Sequence, residues 1–467
     1  MKIVQNLTSG MEDLINRGLD RHIRLAVTGL SRAGKTAFIT SLVNQLLHTS
    51  THDNLPLLHA TREGRLLGVK RIPQTNFCVP RFAYDEAMRD LSGQPPQWPS
   101  ATKDVSEIRL ALRFKPQKGV MKYVQNTSTL YLDILDYPGE WLLDLPLLDM
   151  DYVTWSQKQA QVTSQRQRYA GTWLTMMEDF DPLAKVNEDQ LEAISRAYTQ
   201  YLFDCKEKGG FHWVQPGRFV LPGDLAGAPI LHFFPLINLD KYDATALNRA
   251  HKQSMFAMLQ RRYNAYCKQV VGAFYRDHFS SFDRQIILVD CLSPLNKSAE
   301  AFNDMRQALA ELMQSFHYGS GSLLKRLFSP KIDKLLFAAT KADHVTLDQH
   351  EHLNSLLQQM IKEAWQTAAF EGIDMDCTSI ASIQATQSGI IQHKGKKYSA
   401  LKGYKLNNDP ITLYPGEVPK HLPEASFWEQ QGFSFIEFSP RGYVLDEPLP
   451  HIRLDKCLEF LIGDKLA

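Results

Sequence analysis

A mostly parallel α/β sheet, interrupted by a large all-α insertion and elaborated by a β-hairpin towards its C-terminus, is the fold that this 467-residue sequence predicts. Three observations carry that expectation. Apolar runs of strand length alternate with amphipathic runs of helix length, the pattern that builds a parallel sheet with helices on both faces. The first strand runs into a glycine-bearing loop that opens a helix. From about residue 141 to 283 the strand signal stops, and apolar residues recur at helical spacing instead.

In chain order, residues 23–29 read as a buried strand, and Phe38, Ile39, Leu42, Val43, Leu46 and Leu47 give one helical stripe facing it. Residues 50–100 are irregular and rich in His, Pro and Arg, with one helix around 82–91. Residues 107–114 alternate, Ile108, Leu110, Leu112 and Phe114 against Arg109, Ala111 and Arg113. That pattern predicts a half-solvated antiparallel strand at a sheet edge. Residues 129–136 form a second hydrophobic strand. In the α block, Leu191, Ile194, Tyr198, Tyr201 and Leu202 share one helix face, and Met255, Leu259, Tyr263, Tyr266, Val270 and Phe274 another. The α/β rhythm returns with strands at 286–290, 335–339 and 375–379. Between them lie a helix through Phe302 and Phe316, a Gly-Ser turn at 319–322 and a helix near 353–368. A basic hairpin around 393–397, a proline-spaced segment and a helix through Leu454, Cys457, Leu458 and Leu461 close the chain. The expected division is a first sheet portion, 1–140, a helical insertion, 141–283, and a second sheet portion, 284–467.

Composition narrows the function. Lys and Arg total 52 against 51 Asp and Glu, so no global field recruits a polyanion and no nucleic-acid partner is expected. No apolar run approaches the ~20 residues that cross a bilayer, and the first residues lack the apolar stretch of a signal peptide. The six cysteines lie far apart, Cys267 and Cys291 being the nearest pair, which excludes a CxxC zinc site and a dense disulfide framework. A soluble protein of a reducing compartment is expected. The Lys394, Lys396, Lys397, Lys402 and Lys405 cluster reads as a solvated hairpin, with anionic lipid or nucleic acid as the alternatives.

Gly29-Leu-Ser31-Arg32-Ala33-Gly34-Lys35-Thr36 matches G-x-x-x-x-G-K-[ST]. Its glycines let the backbone wrap a phosphate, and the N–H groups from Gly29 to Ala37 form an anion nest. Lys35 reaches the β- and γ-phosphates, Thr36 ligates Mg²⁺, and the following helix adds its positive end. Arg32 is unusual in such a loop. It is read as solvated, as paired with a carboxylate, or as a charge stabiliser acting in cis.

Asp136-Tyr-Pro-Gly139 follows a strand directly and fits D-x-x-G. A carboxylate there holds a water ligand of Mg²⁺, and the Gly139 N–H contacts a γ-phosphate. Glu140 stands where many such GTPases carry a water-orienting Gln, so it is read as a general base or as turned away from the phosphates. Thr102 is the expected first-switch hydroxyl on Mg²⁺, with Ser100 and Ser106 as rivals. Thr340-Lys341-Ala-Asp343 fits [N/T]-K-x-D at a strand end. Its carboxylate can accept from guanine N1–H and the 2-amino group, a donor pair that adenine lacks, and the Lys341 stem is expected to cover the base face. Ser379 and Ile380, within Thr378-Ser-Ile-Ala381, are expected to offer backbone N–H groups to guanine O6.

The ordered motifs resemble the translation-factor-like class of P-loop GTPases, hence a Ras-like P-loop NTPase sheet. The longer run Gly29-Leu-Ser-Arg-Ala-Gly-Lys-Thr-Ala-Phe-Ile-Thr-Ser-Leu-Val-Asn44 resembles the bacterial YcjX-like family, as do Ser106-Glu-Ile-Arg-Leu-Ala-Leu-Arg113 and Leu135-Asp-Tyr-Pro-Gly-Glu-Trp141. The resemblance spans nearly the whole chain. It implies a stress-associated cytoplasmic protein, free or peripheral at the inner membrane, that binds GTP or GDP with Mg²⁺ and hydrolyses GTP slowly. Members are often encoded beside a membrane protein and near phage-shock genes, which implies an envelope-stress role and an unknown protein effector, a membrane protein being one candidate. By position, Gly34, Lys35 and Thr36 fall to phosphate and Mg²⁺, Asp136 to Mg²⁺, and Thr340, Lys341 and Asp343 to the base. Thr340 in place of Asn and Glu140 in place of Gln depart from the general pattern. Two alternatives stay open: a scaffold that signals by nucleotide occupancy without hydrolysis, and an ATPase using the same loop.

Overall fold

The computed structural model describes residues 22–30, 32–101, 104–117, 127–237, 239–242, 244–315, 332–370, 372–393, 395–430 and 432–467. Ser31, Thr102, Lys394, Phe316 and the turn expected at 319–322 lie outside them. The described residues fall into two compact units, one drawn from Met1–Pro138, Phe282–Asn296 and Lys331–Ala467, the other from Gly139–Ser281 and Lys297–Pro330.

The first unit holds a seven-stranded sheet. Its strands are β1 (His22–Gly29), β2 (Leu66–Ile72), β3 (Ser106–Phe114), β4 (Ser128–Asp136), β5 (Arg284–Val289), β6 (Lys334–Ala339) and β7 (Asp374–Ser379). Their order is β2-β3-β4-β1-β5-β6-β7, parallel from β4 to β7 and antiparallel on either side of β3. This is a mostly parallel α/β P-loop sheet. Helix α1 (Lys35–His48) buries Phe38, Ile39, Leu42, Val43 and Leu46 against Leu25 and Val27 of β1, in a core shared with Leu458 and Leu461 of the closing helix Leu454–Ile462. Each such side chain contributes about 1.5–3 kcal/mol on burial. The C-terminal elaboration is a second, four-stranded sheet in which the hairpin β8 (Gln387–His393) and β9 (Lys396–Lys405) is joined by β10 (Pro410–Leu413) and β11 (Phe438–Ser439).

One expectation is corrected. β3 is not an edge strand; β2, from the stretch read as irregular, pairs outside it with a bulge at Leu66/Gly68. The signal of β2 is weak because Lys70 and Arg71 interrupt its apolar residues, as is common in exposed edge strands. The second face of β3 is solvated only at Arg113: Ala111 is buried, and Arg109 is 9 % exposed, lies 3.3 Å from Asp133 Oδ1 and stacks over the Tyr131 ring. A paired guanidinium looks identical in sequence to a solvated one.

The second unit opens with a 3-10 segment, Gly139–Asp149. The helices Tyr152–Gln165, Glu188–Glu207 and Met255–Tyr266 are capped by Asp151, Asn187 and Ser254, whose side chains accept from Thr154, Gln190 and Ala257 N–H. Trp155 stacks on Tyr263 and Trp173 on Tyr201 at ring distances of 5.2 and 5.3 Å. The apolar face through Tyr266, Val270 and Phe274 is carried across a π-helical turn, Cys267–Val271. Helix Ala299–Ser315 clusters with this unit rather than with the sheet, its Asp304 paired with buried Arg166.

Asp144 is 2 % exposed and accepts from Gly217 N–H at 2.8 Å and Tyr266 O–H at 2.5 Å, yet burial pushes its carboxyl up to about 7. The folded chain therefore keeps a proton that the unfolded chain releases near its ordinary value, and stability falls as pH rises from about 4 to about 7. Asp144→Asn is expected to remove that part of the pH dependence. Urea midpoints at about pH 5 and about pH 7.5 should differ more in wild type than in the variant, by the equivalent of ~2–3 kcal/mol. Parallel shifts would contradict the assignment.

Candidate functional site

Parallel pairing sets Gly29 beside Leu288, Val289 beside Ala339 and Ala339 beside Ser379. The carboxyl ends of β1, β5, β6 and β7 are thereby level, the edge at which open α/β sheets bind ligands. A cavity of about 340 Å³ lies there, within the range of small-molecule and cofactor sites.

One end is built by Arg32, Ala33, Gly34, Lys35, Thr36 and Ala37. Gly34 is left-handed at φ 82°, and a side chain there would meet nothing within 4 Å, so the position needs glycine for its backbone alone. Arg32 holds φ 62° without that freedom. Gly29 does something else. A Cβ on it would sit 2.7 Å from the Leu288 carbonyl oxygen, so its missing side chain is what lets the tip of β1 approach β5. Thr36 Oγ1 donates to the Ser100 carbonyl at 3.0 Å, which draws the segment of Trp98, Pro99 and Ala101 onto the cavity wall. Ser100, weighed as a hydroxyl ligand, meets the loop through its backbone.

At the other end stand Thr340, Lys341, Asp343 and His344. Asp343 is 4 % exposed and its Oδ2 accepts from Ala385 N–H at 2.7 Å, which orients the carboxylate. Thr340 Oγ1 donates to the Val289 carbonyl at 3.4 Å. Lys341 is left-handed at φ 60°. Its Nζ lies 2.7 Å from Asp290 Oδ2 and 3.2 Å from Glu437 Oε1. Burial works against the Asp290 charge, but the adjacent Lys341 ammonium holds its carboxyl below the ordinary value. Burial likewise opposes the Lys341 charge, and Asp290 and Glu437 outweigh it and raise the ammonium above its usual range. Burial pushes the His344 imidazole down, keeping a neutral ring against Phe438 at 5.1 Å.

Nine sequence-expected residues, Arg32 to Thr36, Ala37, Thr340, Lys341 and Asp343 apart from the undescribed Ser31, thus line one cavity. Ser379 and Ile380 do not. The Ile380 N–H donates to Ala339 and the Ser379 hydroxyl to His350, and the wall is carried by Ala381, Ser382 and Ile383. Asp136 ends β4, 2 % exposed, opposite Val27 of β1, and the next residue, Tyr137, anchors the turn by accepting from Gln285 Nε2 at 2.8 Å. Gly139 and Glu140 begin the second unit, where Glu140, 4 % exposed, pairs with Lys206 Nζ at 2.8 Å. Trp98, His344, Leu406, Glu437 and Phe438 line the cavity without having been foreseen. The only sequence cue was Trp98 among the prolines before the expected first switch; β11 offered none.

The family model described as "YcjX-like family, DUF463" matches residues 23–466. A protein of Escherichia coli (strain K12) called "Ras-like GTPase YcjX" is 58 % identical over 465 residues, covering 99 % of this chain and all of that protein. A Shewanella oneidensis protein of the same name is 45 % identical over 478 aligned positions, covering 99 % of this chain and 98 % of that one.

The close approach at Gly29 makes a direct test of the loop. Gly29→Ala is expected to lower stability by about 1–3 kcal/mol, since the nearest obstacle is backbone and cannot swing aside. A denaturant midpoint equal to wild type would show that β1 and β5 have room there.

Proposed function

The chain belongs to the YcjX-like family, and on that footing we propose that it is a GTPase switch that binds Mg²⁺·GTP in the cavity between the Gly34 loop and Asp343 and hydrolyses it slowly to GDP and phosphate. The observation that carries the reading is the convergence of Lys35 and Asp343, more than 300 residues apart in sequence, on one cavity of nucleotide size.

In this reading the left-handed turn at Gly34 and the first N–H groups of α1 hold the β-phosphate, and the Lys35 ammonium neutralises the β- and γ-oxygens. The donors suit a magnesium ion: the Thr36 hydroxyl on the cavity wall and the buried Asp136 carboxylate at the tip of β4 are hard oxygen groups. Mg²⁺, when bound, offsets charge developing on the transferred phosphoryl group. Asp343 takes guanine N1–H and the 2-amino group; adenine would leave that buried carboxylate without donors, at a cost of several kcal/mol. The backbone of Ser382 and Ile383 replaces Ser379 and Ile380 as the edge facing guanine O6. Slow turnover is supported by Glu140, because a carboxylate already paired with the Lys206 ammonium is a poor base for water. The same pairing favours the second reading, an occupancy scaffold that scarcely hydrolyses. The all-α unit, which begins at Gly139, is the proposed readout of nucleotide state. Among the described residues no helix is long and apolar enough to cross a membrane. An envelope-stress setting rests on the family resemblance alone.

Two measurements decide. Calorimetric titration should show GDP preferred over ADP by about a hundredfold or more, and Asp343→Asn should erase most of that preference; equal affinities in wild type would turn the reading to an ATPase. Phosphate release from GTP should fall at least about a hundredfold in Lys35→Ala. Wild-type release no faster than the variant's would leave the scaffold.

A further inference from the structure

We propose that Asp290 and Glu437 clamp the Lys341 ammonium from two sides, so that the aliphatic stem of Lys341 is held along the cavity as a platform for the purine face. Glu437 is then a positioning residue for nucleotide retention, supplied by the C-terminal elaboration. This rests on the reading of the cavity as a nucleotide site.

Both ends of the clamp are fixed. Asp290 follows β5 directly and is 1 % exposed; its Oδ1 accepts from Leu292 and Ser293 N–H at 3.1 Å each, leaving Oδ2 to Lys341 Nζ at 2.7 Å. Glu437 stands in a segment pinned on either side. Phe435 exchanges hydrogen bonds of 2.7 and 2.8 Å with the Asn296 side chain. The Phe438 carbonyl accepts from Trp98 Nε1–H at 2.8 Å, and its ring packs where Gly403 has no side chain. Glu437 Oε1 is thus delivered 3.2 Å from the same ammonium.

Lys341 itself adopts φ 60°, a conformation that residues with a side chain seldom take. An ammonium tied to two carboxylates at the base-reading end is directed away from phosphate chemistry, which is left to Lys35. What remains facing the cavity is the stem, and apolar contact with a purine face carries no preference between guanine and adenine. The clamp therefore governs how long a purine nucleotide stays, whereas Asp343 governs which purine it is. Asp290 is buried and Glu437 is half exposed, so the contact with Asp290 is the stronger restraint.

The test is a double-mutant cycle on release of a fluorescent GDP, measured by stopped flow on the full chain. Glu437→Gln is expected to speed release by about threefold, Lys341→Met by more, and the double variant to match Lys341→Met alone, since the carboxylate then has nothing to hold. Asp290→Asn should speed release beyond Glu437→Gln; should it fail to fold, the Glu437 cycle decides by itself. Release from Glu437→Gln at the wild-type rate, or independent effects of Glu437→Gln and Lys341→Met, would overturn the clamp. The cycle is repeated with a fluorescent ADP. Equal binding of both nucleotides would sink the guanine reading and leave the clamp to be judged on either ligand; binding of neither would end both.

Discussion

Level strand ends are the constraint on which the site depends. Hydrogen-bonded parallel pairing places Gly29, Val289, Ala339 and Ser379 across neighbouring strands at one edge of the sheet. A shift of two residues in any of these ladders would keep the burial pattern of the strand and still carry its loop several ångströms from the cavity. The fit at Gly29 against the Leu288 carbonyl guards the first of these registers, because no other residue allows that approach. The loop chemistry is thus held in place by the sheet beneath it.

Charged groups are buried in both units, and several of them meet a partner of opposite sign. Lys341 meets Asp290, Glu140 meets Lys206, and Arg166 meets Asp304. Such pairs add little net stability over apolar packing of the same volume, while removing one member is costly, at about 3–5 kcal/mol. Their contribution is positional. They allow one arrangement of the chain and penalise others, which suits Lys341 on the cavity wall and Glu140 at the start of the helical unit. A base-reading motif drawn from four letters says nothing about where its lysine points; two carboxylates decide that.

The sequence and the folded chain agree where structure is local. Strand, glycine loop and amphipathic helix from His22 to His48 follow from hydrophobic period and backbone freedom, and both are visible in a short window. Disagreement appears where a residue's meaning depends on a distant one. Alternation assigns Arg109 to solvent because it cannot see Asp133 and Tyr131 on the neighbouring strand. Strand β2 was passed over because an exposed edge needs few apolar residues. Ser379 and Ile380 were placed by motif order, whereas the β-ladder and its continuation take the Ile380 N–H and move the wall onward to Ala381.

Residue order and local spacing were enough to specify the α/β alternation, the glycine loop after β1 and the aspartates near the strand ends, because each is encoded within a few turns of chain. The shape of the cavity was not. Trp98, Glu437 and Phe438 became its walls only when the segment around β11 met the segment before β3, bringing together residues some 340 positions apart. Contacts at that separation leave no period and no motif in the chain; they exist only as the outcome of packing, where burial and hydrogen bonding are satisfied together.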